Sequence, residues 1–201
     1  MQGSGENTEF SDLRAYVMTA LIWNPSLDAD KLIEEFLSLY YERAAKPIRE
    51  WIDFIHEQAE GSGSETNINA PAKYYGLNAA LGERGLRLFE EAMQLADNET
   101  IRHRVEKVSV TALRLAVEPV WWNAIEAPRQ ARARKTTLEE ELIPIPDDDL
   151  PRYRDMVRKL FTLADKHKMH MYYEGGRREA AREPVFSYLN LPQTTQEDTK
   201  E

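Results

Sequence analysis

The chain of 201 residues fits one domain with one main core and is short for two. With 42% hydrophobic and 30% charged residues it has a globular balance, and no stretch approaches the ~18 uncharged apolar residues of a membrane span. A net charge of −9 argues against nucleic acid as the main partner, and the lack of cysteine removes disulfides, thiolate metal ligands and a thiol nucleophile.

The first ten residues, MQGSGENTEF, are polar and carry no signal-peptide pattern. Ser11 reads as an N-cap for a first helix over 12–23, with Leu13, Tyr16, Val17, Ala20 and Leu21 at helical spacing and Asn24-Pro25 as its stop. Asp28 caps a second helix over 29–43, and a third runs over 47–59. The break between them is placed near Ala44–Pro47, because proline removes a helix hydrogen bond. Residues 61–73 read as a loop. A fourth helix spans about 77–96, and its Gly82 and Gly85 either admit a neighbouring helix closely or delay the start.

Asn98 caps the next segment, 99–118. Ile101, Val105, Val108, Ala112, Leu115 and Ala116 line one side, while Val110, Leu113, Val117 and Val120 line another. A helix apolar on two sides is central and buried. Pro119 kinks or ends it. Residues 127–148 read as irregular, with a basic run (Arg129, Arg132, Arg134, Lys135) on a solvated loop. Leu150-Pro151 then starts a helix to about 168, and Met171–Tyr173 reads as a short extended piece before Gly175-Gly176. No further element is assigned before the polar tail from Pro192. The predicted class is all-α: an irregular bundle of five or six helices over 11–191, between a flexible segment at 1–10 and a disordered tail at 192–201.

The chemistry-bearing residues form no strong pattern. His167 and His170 are spaced to share a face, and Asp53-x-x-His56 and His103-x-x-Glu106 pair a carboxylate with an imidazole. Each is a pair without a readable third ligand, so no metal and no other cofactor is expected. Trp121 and Trp122 have the rings that stack on sugars, although tryptophan pairs also fill cores. No Ser–His–Asp arrangement, phosphate loop or HExxH is present, and the many Asp and Glu single out no glycosidase dyad. No catalytic residue is assigned.

The segment LRAYVMTALIWNPSLDADKLIEEFLSLYYERAAKPIREWIDFIHE (13–57) resembles the C-terminal region of the DUF4838 proteins, a bacterial group of proposed glycoside hydrolases similar to alpha-glucuronidases. HRVEKVSVTALRL (103–115) and FTLADKHKMHMYYEGG (161–176) fit the same family. The resemblance implies a longer parent in which a (β/α)₈-type barrel precedes this helical region, since 201 residues are too few for a barrel of ~250. The chain is then an excised accessory domain, not catalytic alone, with Met1 a cloning start.

On that reading Gln2, Glu6 and Asn7 leave the barrel's last strand, where they, with Trp121 and Trp122, approach carbohydrate in the intact enzyme. The implied partner is the barrel. A homodimer contact is left open, nucleic acid and membrane are not expected, and an exported parent is compatible with the family. The alternative is a free-standing helical interaction module. A domain cut from a larger enzyme keeps the surface it once covered, so Phe10, Met18 or Ile22 is expected to stay partly exposed.

Overall fold

The computed structural model describes residues 8, 10–64, 71–169, 171–173 and 176–192. The expected flexible segment and tail fall almost wholly outside them. Six of the elements are the long helices anticipated from periodicity. They are α1 (Ser11–Trp23), α2 (Ala29–Tyr41), α3 (Ala45–Gly61), α4 (Ala79–Leu95), α5 (Glu99–Ala116) and α9 (Leu150–Lys166). Short helices α6 (Glu118–Trp121), α7 (Ala127–Arg134) and α8 (Leu138–Glu141) join α5 to α9, and α10 (Arg178–Tyr188) closes the described chain. The fold class is all-α. A two-stranded antiparallel hairpin, β1 (Met171–Tyr173) and β2 (Gly176–Arg177), links α9 to α10.

Side-chain caps explain several starts. Asp28 accepts from the amides of Asp30 and Lys31, Asn78 from that of Leu81, and Asn98 from that of Ile101. Each satisfies backbone donors that the helix itself leaves unpaired. Ser11 does not cap α1. It is the first helical residue, and the cap position is held by Phe10 in a left-handed conformation (φ 53°) with no side-chain bond. The break between α2 and α3 also falls earlier than proline chemistry suggested, at a 3₁₀ turn over Glu42–Ala44. Pro47 is tolerated in the first turn of α3, where its missing N–H costs nothing.

Buried side chains form two clusters that meet at α5. Ile101, Val105, Val108, Ala112 and Leu115 pack with α2, α3 and α4, while Val110 and Leu113 pack with Val117, Val120, α9 and α10. These are the two apolar sides read from the sequence, now facing separate partners. The glycines of α4 allow the closest approach. A Cβ on Gly82 would sit 2.6 Å from the Cα of Ala116, and one on Gly85 would run into the Trp51 ring and lie 2.8 Å from the Ala112 methyl. Such separations are below van der Waals contact, so α4 and α5 can meet this way only over glycine.

Two expectations are corrected. The stretch 127–148 is not irregular throughout. The helical path continues from α6 through a π-turn at Trp122–Glu126 into α7, so the basic run is largely helical and not a loop. Pro128 lacks the amide that would bond to Ala124 in an α-helical ladder, and the Ala127 N–H instead reaches the Trp122 carbonyl. The second correction is α10, whose Val185 and Phe186, with Leu189 just after its end, are buried in the cluster that includes α9.

Candidate functional site

A cavity of about 740 Å³ lies beneath α1, walled by α1, α3, α5, α6 and α7. That volume is in the range of small-molecule sites. Its lining is largely apolar, with Leu13, Val17 and Met18 from α1 facing Trp51, Ile52, Ile55, Leu77, Leu115 and Trp121. Charged groups stand around it: Arg14, Arg114 and Arg129 against Glu118 and Glu126, with His56 nearby.

The helices set this charge pattern. Arg114 and Glu118 are one turn apart, bonded at 2.6 Å, and Glu118 is only 4% exposed. The Arg114 guanidinium also lies 3.8 Å from the centroid of the Trp121 ring, so one cation serves a buried carboxylate and an aromatic face. Arg129 holds Glu126 at 3.3 Å. Arg14 donates to the Thr8 hydroxyl at 2.7 Å and has no carboxylate partner among the described residues. Trp51 donates from its indole to Thr111 at 3.0 Å, which fixes the ring that Gly85 abuts.

Trp121 and Trp122 diverge although they are adjacent. Trp121 edges the cavity, yet it is 1% exposed and Arg114 covers one face. Trp122 is fully buried, its indole N–H donates to the Glu141 carbonyl at 2.6 Å, and Lys73 lies over its ring. Neither ring has the open face a sugar platform needs. Burial is the main influence drawing the Lys73 ammonium below its ordinary value. Next along the π-turn, Asn123 exchanges two bonds of 2.8 Å with the backbone of Ile143, pinning the segment between α8 and α9. Gln2, Glu6 and Asn7 lie outside the described residues.

The three histidine-containing pairs of the sequence are rearranged by the fold. Asp53 is bound by Arg49 at 2.8 Å, and His56 turns to the cavity. His170 lies outside the described residues. His167, at the end of α9, instead meets His103 and Glu106 on α5. Its Nε2 lies 3.1 Å from Glu106 Oε2, the two imidazole centroids are 4.5 Å apart, and Lys166 donates to the same Glu106 oxygen at 2.6 Å. Burial first, and the neighbouring His103 second, lower the His167 pKa from its ordinary value. For Glu106, burial is the largest single influence and acts upward. Lys166 and His167 together outweigh it, so the carboxyl sits lower than usual. The i, i+3 spacing of His103 and Glu106 was legible, whereas their meeting with a residue more than sixty positions later was not.

Residues 1–53, the segment that includes α1, α2 and the first half of α3, match the model of a family described as a domain of unknown function (DUF4838). The stretches 103–115 and 161–176 lie outside the matched residues. No curated protein and no solved structure matches the chain.

Proposed function

We propose that the chain is an accessory helical domain of a glycoside hydrolase, docking on a catalytic barrel through the outer face of α1 and not catalytic by itself. The observation that supports this reading is the state of α1. Leu13 is its only buried residue, while Met18 is 37%, Ile22 58% and Trp23 90% exposed. The exposure expected of Met18 and Ile22 is therefore met. Fully covering one such side chain is worth roughly 1.5–3 kcal/mol, so a solvated row of them is costly unless something packs on it. This face lies within the segment that matches the family. Carbohydrate would be handled by the barrel, with the cavity beneath α1 beside the docking face.

The experiment is co-expression of the chain with the barrel encoded in the same reading frame. Protection of the α1 amides from hydrogen exchange, together with quenching or a blue shift of Trp23 fluorescence, supports docking. A reading frame with no barrel, or an α1 that exchanges equally in both preparations, overturns it. The same surface suits the second reading, a free-standing interaction module, which a reading frame without a barrel would favour. A homodimer through α1 would appear as a doubled mass in light scattering. The isolated chain is expected to turn over neither aryl-glycosides nor glucuronosyl oligosaccharides, and measurable turnover would contradict the non-catalytic reading.

A further inference from the structure

We propose that His103, Glu106 and His167 form a binding site for a divalent transition metal, with Zn²⁺ as the best fit. Two elements build it. Helix α5 presents His103 and Glu106 one turn apart, and the end of α9 delivers His167 at its C-cap. One donor atom from each of the three lies within 4.8 Å of the others. Two imidazoles and a carboxylate are a donor set that zinc takes, and three protein ligands leave a fourth position for water or another donor.

A second observation points the same way. His167 is 6% exposed, and its Nδ1 is buried with no hydrogen-bond partner among the described residues. Whichever nitrogen of the neutral ring carries the proton, one of the two is left unsatisfied; with the proton on Nδ1, the Nε2 lone pair faces the Glu106 carboxylate at 3.1 Å, where a shared cation would bridge them. Nε2, not Nδ1, is the nitrogen that shares the cluster with Glu106, so the imidazole and the carboxylate can ligate one ion. The site also holds its own surrogate cation: the Lys166 ammonium sits on the Glu106 oxygen that a metal would use or orient. Bonds of about 2.1 Å place tetrahedral donors about 3.4 Å apart, so the cluster must contract. The exposed His103 has the freedom to swing inward. Metal binding therefore competes with Lys166 for Glu106. This inference is independent of the docking role proposed for α1.

The test uses the full chain prepared without a polyhistidine tag and stripped with chelator, titrated with Zn²⁺ by calorimetry and with Co²⁺ by visible absorption. One equivalent of Zn²⁺ should bind more tightly than about 10 μM, with intense Co²⁺ bands of tetrahedral type. His103→Ala, at an exposed position, should leave the apo melting temperature unchanged and weaken binding about tenfold or more. Glu106→Gln should weaken it similarly. Lys166→Gln should strengthen it several-fold by removing the competing cation. Zn²⁺ binding weaker than about 10 μM, equal affinity in the His103→Ala chain, or weaker binding after Lys166→Gln would each overturn the site.

Discussion

Helices α1 and α5 are both rich in apolar residues, yet they have opposite fates. Of the eighteen residues of α5, eight are buried, and seven of these divide between two clusters. Of the thirteen in α1, only Leu13 is buried. Val17, Ala20 and Leu21 are half-covered on the side toward the bundle, Met18 edges the cavity at 37% exposure, and Ile22 and Trp23 face solvent. The difference is one of neighbours. Helix α5 is enclosed by α4 on one side and α9 on the other, whereas α1 rests mainly on α2. Apolar composition sets how much surface a helix can bury, and the number of elements packed around it sets how much it does bury.

Truncation sharpens this contrast most. Leu115→Ala removes a nearly buried side chain from the cluster shared with α2, α3 and α4, and should cost ~2–5 kcal/mol in chemical denaturation. Val108→Ala, at a 2% exposed position, should cost ~1–3 kcal/mol. Losses below ~0.5 kcal/mol at both sites would mean that α5 does not carry the core.

The next effect comes from the same helix approached from outside. Gly82→Ala forces a methyl into the backbone of Ala116, which has no rotamer with which to yield. Gly85→Ala meets the Trp51 ring and the Ala112 methyl, and the ring is held by its bond to Thr111. An alanine in an exposed helix would add up to ~1 kcal/mol of stability over glycine. Here each substitution should instead destabilise by roughly 1–3 kcal/mol, with Gly82 the worse. A raised melting temperature for either variant would show that the close α4–α5 contact is not present in solution.

These positions also show how far the sequence reached. The two-sided pattern of α5 was readable because 3.6-residue periodicity is local, and both faces proved buried among the residues named for them. The glycines of α4 left two readings, and only the distance to Ala116 chooses between them. Helix α10 was hidden because Gly175-Gly176 before it and Pro184 inside it are breaker signals that tertiary packing of Val185 and Phe186 overrides. The basic run at 129–135 looked like a loop for a similar reason: its salt partners, Glu126 and Glu141, lie partly beyond the reach of a local window. The histidine cluster was least legible. Each of its pairs was visible and weak, and a contact between α5 and the end of α9 has no signature in either segment.

A smaller effect is expected on the charged surface of α7 and α8. Arg132 and Glu140 are exposed and enter no salt bridge among the described residues. Alanine at either should change stability by no more than ~0.5 kcal/mol. A loss comparable to Leu115→Ala would place part of the core in the 127–141 segment.

The smallest stability change belongs to the face that is most apolar and least covered. Ile22→Gln and Trp23→Gln exchange solvent-facing apolar side chains for a good helix former, and neither residue lies in a buried cluster. Their folding free energy should stay within ~0.5 kcal/mol of the parent chain, a tenth to a quarter of the loss expected at Leu115. What should change instead is the surface. Dye binding and concentration-dependent association should both fall, because an exposed apolar row is the part of a monomer that attracts other surfaces. If Trp23→Gln destabilises by more than ~1 kcal/mol, its ring is packed within the isolated chain and α1 is an ordinary core helix. If stability holds but association is unchanged, the apolar row is not a sticky surface and the docking reading loses its support. Unchanged stability with diminished association is the outcome that separates a helix built to pack within the bundle from one built to be covered by something else.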